Sequence, residues 1–162
     1  MNNRMYYYPD YQRYVLFTVP ALMHMYGYSQ RWVWQKEAGG ELYTIEPNNR
    51  GMVVSCAAGP NKEDVRRRCY FNPDPIATSK VREEQFELGM HAIGLWHTHP
   101  ESNPCPSGHD YQATVDYLQA FQNDRERYLM LVMGNCGREP SMRVWSIDGV
   151  DMDTSVELVE SR

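Results

Sequence analysis

The strongest constraint on the fold of this chain is an apolar run with a polar end. Ala92-Ile93-Gly94-Leu95-Trp96 is followed at once by His97-Thr98-His99-Pro100. Consecutive apolar residues of strand length imply a central strand covered on both faces, and such a strand requires packed layers on either side of its sheet. Side chains on a strand alternate faces with period two, so His97 and His99 project on the same side at the carboxyl end. Pro100 stops the strand, and the turn-rich segment 101–106 returns the chain to a predicted helix over 107–122. Tyr111, Val115 and Leu118 give that helix one apolar face, and Ser107 and Asp110 stand as a capping pair at its start.

The flanking sequence supplies the layers. A short strand is expected over 14–18. A helix follows from Pro20, with Ala21, Leu22, Met25, Tyr26 and Ser29 facing the core and an end between Gly27 and Arg31. Segments 41–45 and 51–58 read as two strands of a hairpin around the turn-rich residues 46–50. Segment 65–71 reads as a single strand containing Arg66-Arg67-Arg68, a run that suits a solvated sheet edge, with partner docking as the alternative. A loose helical period covers 76–90, and 128–133 and 141–147 are further strands. The acidic tail, 148–162, is a final strand or a frayed end. Tyr6, Tyr7, Tyr8, Tyr11 and Tyr14 make a tyrosine-rich arm, over 1–13 and its junction with the first strand, that packs on its own domain or marks an interface. Strands interleaved with at least three helices predict one α/β domain over 1–162, a mixed sheet flanked by helices.

Length and charge narrow the function. The 162 residues fit one domain. A formal charge of −5 argues against a surface built to neutralise many phosphates, so nucleic acid is not an expected partner. No apolar run approaches the roughly 20 residues of a membrane span, and the amino terminus lacks the pattern of a secretory signal, so the expected location is the cytoplasm. Cys56, Cys69, Cys105 and Cys136 form no C-x-x-C pair and are expected to be free thiols.

The histidines carry the chemistry. Two imidazoles from one strand end and the Asp110 carboxylate from the next helix make a three-ligand set with a fourth tetrahedral position open to water, the arrangement of a catalytic rather than a structural zinc. Such a centre can hydrolyse an amide. It needs a carboxylate base outside the ligand set, for which Glu37, Glu41 and Glu46 are candidates, and Ser107 is placed to donate to a developing oxyanion. With 5 His, 9 Ser and 9 Asp in the chain, a chance match to H-x-H-x7-S-x2-D arises in about one sequence in two thousand. His109, next to Asp110 but about 100° around the helix, is expected to face solvent, and Cys105 to be a bystander.

The segment from His97-Thr98-His99-Pro100 through Ser107-Gly108-His109-Asp110 resembles the JAMM (MPN-plus) metallopeptidase signature. That family carries an upstream catalytic glutamate, in many bacterial members before a glycine pair that opens a strand. Glu37-Ala38-Gly39-Gly40 resembles that pattern and selects Glu37 as the base. The resemblance implies a curved mixed sheet similar to that of cytidine deaminases. It also implies one Zn2+ held by His97, His99 and Asp110, and cleavage of a peptide or isopeptide bond after the carboxyl-terminal tail of a ubiquitin-like or conjugated protein. Among bacterial members the likeness is to peptidases of anti-phage operons that also encode a cGAS-like nucleotidyltransferase and E1/E2-like enzymes, with the nucleotidyltransferase as the conjugated protein. The alternatives are processing of a sulfur-carrier protein or its cysteine adduct, which would use the same residues, and a non-catalytic MPN scaffold, which would be expected to lose ligands. A zinc deaminase would need H-x-E and P-C-x-x-C, and Pro104-Cys105-Pro106-Ser107 lacks the second cysteine.

Overall fold

The computed structural model describes residues 1–121, 124–149 and 155–161. In chain order the elements are β1 (Arg4–Tyr7), β2 (Tyr14–Phe17), α1 (Val19–Tyr26), β3 (Gly39–Thr44), β4 (Gly51–Val54), β5 (Cys56–Ala57), β6 (Val65–Arg67), β7 (Tyr70–Asn72), α2 (Pro75–Glu87), β8 (His91–Thr98), α3 (Gly108–Ala120), β9 (Tyr128–Met133), β10 (Met142–Ile147), β11 (Ser155–Glu157) and β12 (Val159–Glu160). The predicted mixed sheet is six-stranded, in the order β11-β10-β9-β8-β3-β5, with β8 and β9 parallel and the other pairs antiparallel. A four-stranded sheet, β12-β1-β2-β4, packs beside it, and β6 and β7 form a separate hairpin.

Alternation on β9 shows why the six-stranded sheet is buried on both faces. Leu129, Leu131 and Met133 join the core formed with α1 and the four-stranded sheet, through residues such as Leu22, Met25, Phe17 and Val54. Tyr128, Met130 and Val132 point the other way, toward the side covered by Val115 and Leu118 of α3 and by Tyr111. The β8 strand is central to this sheet, as its apolar run predicts. Pro20 lies in the first turn of α1, and Ala21, Leu22, Met25 and Tyr26 are its buried residues, as expected. Among the described residues no helix is long and apolar enough to cross a membrane.

Two expectations change. The 51–58 run is two strands: β4 pairs in parallel with β2, and the chain then crosses at Ser55 so that only β5 pairs with β3. The residues on both sides of Ser55 are apolar or small, so their types carry no mark of the change of sheet. The 65–71 run is also two strands, turning at Arg68-Cys69 so that Val65 faces Asn72. The tyrosine arm packs on its own domain, the first of its two expected readings. Arg4–Tyr7 is a strand between β2 and β12, and the buried Tyr6 and Tyr8 donate from their hydroxyls to Met142 O (3.2 Å) and Ser146 Oγ (2.8 Å). The acidic tail contributes β11 and β12, while residues 150–154 and 162, including Asp151 and Asp153, lie outside the described residues.

Candidate metal centre

The ladder between β3 and β8 builds the site. Gly39 lies opposite His97, and beyond the last pair the Thr98 N–H donates to Ala38 O (2.8 Å) while the Ala38 N–H donates to Thr98 Oγ1 (3.0 Å). The parallel neighbour β9 extends the support one residue further, since the His99 N–H donates to Met133 O (2.8 Å). The backbone therefore fixes both histidines, and both are largely buried.

Asp110 reaches them from the first turn of α3. Ser107 is the N-cap, and its pairing with Asp110 is a full capping box. The Ser107 N–H and hydroxyl both donate to Asp110 Oδ2 (2.6 and 2.7 Å), and the Asp110 N–H donates to Ser107 Oγ (3.3 Å). The carboxylate is left facing the imidazoles. His97 Nε2 lies 3.1 Å from His99 Nε2 and 3.3 Å from Asp110 Oδ1, and His99 Nε2 lies 3.7 Å from Asp110 Oδ2. Ligands at about 2.0–2.1 Å in a tetrahedron lie roughly 3.3 Å apart, so three donor atoms converging at these separations suit a single small cation. His97, His99 and Asp110 form a group that could hold a metal ion.

Electrostatics favour the ligand forms. Burial alone would raise the pKa of Asp110, but its hydrogen bonds and charge interaction with His97, together with the bonds from Ser107, hold it well below the usual carboxylate range. Burial lowers the pKa of His99, with His97 acting in the same direction, so its imidazole is biased toward the neutral form that donates a lone pair.

Of the three candidate bases, Glu37 and Glu41 line the cleft of about 440 Å³ that also contains His97, His99 and Asp110. Glu41 is already engaged: Arg82 donates to it at 2.6–3.2 Å and the Tyr43 hydroxyl at 2.7 Å. Glu46 is exposed and accepts from the neighbouring Asn49 side chain. Glu37 is 7% exposed. Burial lifts its carboxyl pKa to about 7; the positive influence of His97 opposes the shift, and Asp110 and Glu101 add to it.

That shift has a stability consequence in metal-free protein. Between pH 4.5 and about 7 the folded chain holds a proton at Glu37 that the unfolded chain has released, so stability falls as pH rises through this window. Glu37→Gln removes the penalty. At pH 8 the apo variant is expected to melt several degrees above wild type, a gain of up to about 3 kcal/mol, and at pH 4 the two should coincide. Differential scanning calorimetry at both pH values checks this, and an apo variant less stable than wild type at pH 8 would contradict it.

His109 is exposed, as its position on the helix predicts, and Cys105 is exposed as well. Cys56, Cys69, Cys105 and Cys136 are all free. His24 is packed between Tyr28 and Trp96, with Nε2 2.6 Å from Gly59 O. His91 sits edge-on to Phe86, far along β8 from the site.

Against this geometry, the model of the Prok-JAB family, described as prokaryotic homologs of the JAB domain, matches residues 21–148. The matched span runs from α1 through β10 and contains every residue of the site. The chain belongs to the Prok-JAB family. Among its relatives is a protein of Escherichia coli (strain TW11681) named CD-NTase/cGAS isopeptidase, 27% identical over 135 residues, which cover 82% of this chain and 83% of the relative. A protein of the same name from Vibrio cholerae is 35% identical over 107 residues, 58% of this chain and 66% of that one. The histone deubiquitinase MYSM1 of Xenopus laevis is 26% identical over 100 residues, 61% of this chain but 12% of the much longer relative. The solution structure of DSY2949 from Desulfitobacterium hafniense shares the fold, with a TM-score of 0.63 at 18% identity and 87% of each chain covered.

The supports that hold this JAB domain's site in place left little trace in the sequence. Arg66, expected on a solvated edge, turns inward: its Nε donates to Glu37 O (2.6 Å) and an Nη to Lys36 O (3.3 Å), while the Glu37 N–H donates to Arg67 O (2.8 Å). The segment before Glu37 is thus bonded to the β6–β7 hairpin. The buried Gln30 ties both to the metal strand, donating to Arg68 O (2.7 Å) and accepting from Thr98 Oγ1 (3.1 Å). On the far side, Asn135 holds the loop after His99, its Nδ2 donating to Pro100 O (2.6 Å) and its N–H to Glu101 O (2.9 Å). The glycine pair has a steric reason. A Cβ at Gly40 would lie 1.9 Å from Ala58 O, and one at Gly39 would meet the Phe71 ring at 2.6 Å, so Gly39 and Gly40 let the hairpin and the segment after β5 close over the cleft.

Proposed function

We propose that this chain is a zinc-dependent isopeptidase that hydrolyses the bond after the carboxyl terminus of a conjugated protein. The substrate is a ubiquitin-like protein or a cGAS-like nucleotidyltransferase joined through its tail to a target in bacterial anti-phage defence. The observation that carries the reading is the convergence of His97, His99 and Asp110 in a cleft that also holds the buried Glu37. The names of the E. coli and V. cholerae relatives support the substrate class.

In this reading His97, His99 and Asp110 hold the metal. Zinc bound there would acidify a water and polarise the scissile carbonyl. Glu37 takes the proton of the attacking water and returns it to the leaving amine, a task suited to a carboxyl whose pKa lies near the working pH. Ser107 donates its hydroxyl to the oxyanion. That hydroxyl otherwise bonds Asp110 Oδ2, but the Ser107 N–H bonds the same oxygen, so the hydroxyl can turn away without releasing the ligand. The tail of the substrate lies in the cleft between the β6–β7 hairpin and α3, against apolar surface from Phe71, Val81, Leu95 and Tyr117.

The test is release of a tail-conjugated nucleotidyltransferase by the purified protein. Treatment with 1,10-phenanthroline should abolish release and stoichiometric Zn2+ should restore it. Release that survives complete removal of metal would overturn the proposal.

A further inference from the structure

The segment leading to Glu37 displays an unusual surface. Trp32 and Trp34 are 58% and 71% exposed and lie parallel, with ring centroids 5.4 Å apart and planes within 1°, and Val33 between them in sequence is 71% exposed. Large apolar side chains grouped on the surface mark interaction sites. The turn that shows them is held in place. The Trp32 N–H donates to Gln35 Oε1 (2.8 Å), the Gln35 N–H to Trp32 O (3.0 Å), and Arg68 Nη1 to Val33 O (2.7 Å).

Charge identifies the partner. Arg31, Lys36, Arg67 and Arg68 are exposed around this turn and on the hairpin bonded to it. Among the described residues none of them takes part in an ion pair. In a chain of net charge −5, a local group of unpaired cations around two indoles complements a surface that carries carboxylates among apolar side chains. Nucleic acid fits less well. Four exposed cations offer few phosphate contacts.

We propose that the Trp32–Trp34 turn and the Arg67–Arg68 end of the hairpin form a docking surface for an acidic, apolar-bearing face of the conjugated protein. This rests on the isopeptidase reading for its partner. Trp34 precedes Glu37 by three residues, about 10 Å of extended chain, so a folded domain seated on the turn can pass its own tail into the cleft.

Two arms test the proposal. In the first, binding of a fluorescent twelve-residue peptide alternating Glu and Leu is followed by anisotropy, with a Lys and Leu peptide and a twelve-nucleotide single strand as comparisons. The Glu and Leu peptide should bind best. Its Kd should rise at least fivefold in Trp32→Ser/Trp34→Ser and again in Arg31→Glu/Arg67→Glu, with melting temperature and zinc content held. In the second arm, both double variants should raise KM for the conjugated nucleotidyltransferase at least tenfold while kcat is held. Equal peptide binding by wild type and variants, or stronger variant-sensitive binding of the oligonucleotide, would overturn the docking surface. If wild type leaves the conjugate uncleaved, the isopeptidase reading fails, and the peptide arm still decides for or against the surface.

Discussion

Glu37→Ala should bind zinc at the wild-type level and lose at least a hundredfold in kcat. The size follows from what a positioned general base contributes, roughly 10² to 10⁴. Retention of metal follows from the geometry, because the three convergent donor atoms belong to His97, His99 and Asp110 and Glu37 is no member of that group. Loss of structure is not expected to confuse the result. The bonds that fix this segment run through the Glu37 backbone, to Arg66 and Arg67, and survive truncation of the side chain. Zinc content measured by atomic emission, beside single-turnover cleavage of the conjugate, checks the prediction. A variant that cleaves like wild type would remove Glu37 as the base, and one that arrives without metal would mean that the carboxylate belongs to the ligand set.

Removing a ligand should have the opposite pattern. His97→Ala and Asp110→Asn should both lose activity together with zinc, with affinity down by more than tenfold. Asp110→Asn is the more informative of the two. It keeps an oxygen able to accept from the Ser107 N–H, so the helix cap persists in large part, but it removes the negative charge that a cation needs. Asp110→Ala would also remove the cap, at a cost of about 1 kcal/mol, and mix a folding effect with a binding one. Full zinc occupancy in Asp110→Asn, titrated against a competing chelator, would show that Asp110 is a capping residue only.

The candidate metal-centre residues can be grouped from sequence because each is tied to a local pattern. His97 and His99 share a face through strand alternation, and Ser107 and Asp110 are placed by the first turn of a helix, so short spacings carry three-dimensional information. Glu37 was different. Composition and spacing left it equal to Glu41 and Glu46, and only the likeness of Glu37-Ala38-Gly39-Gly40 to a family pattern chose it. The structure gives physical grounds for the distinction, since the Glu41 carboxylate is engaged by Arg82 and Tyr43 while Glu46 stands on the surface. The supports were invisible for a further reason. Arg66 and Asn135 act on backbone carbonyls from 29 and 35 residues away, and a carbonyl has no identity in a sequence. The division of 51–58 between two sheets was hidden in the same way, because pairing partners are long-range facts and alternation is a local one.

The terminal bonds between β3 and β8 have a mechanical consequence. Ala38 is bonded twice to Thr98, through the Thr98 N–H and through its hydroxyl, and these two residues are the immediate chain neighbours of Glu37 and of both histidines. The proposed general base and the two candidate histidine ligands therefore ride on one doubly stitched joint. The spacing of Glu37 from the two histidines is thus set by one stretch of paired backbone, where a site assembled from independent loops would need each loop placed separately.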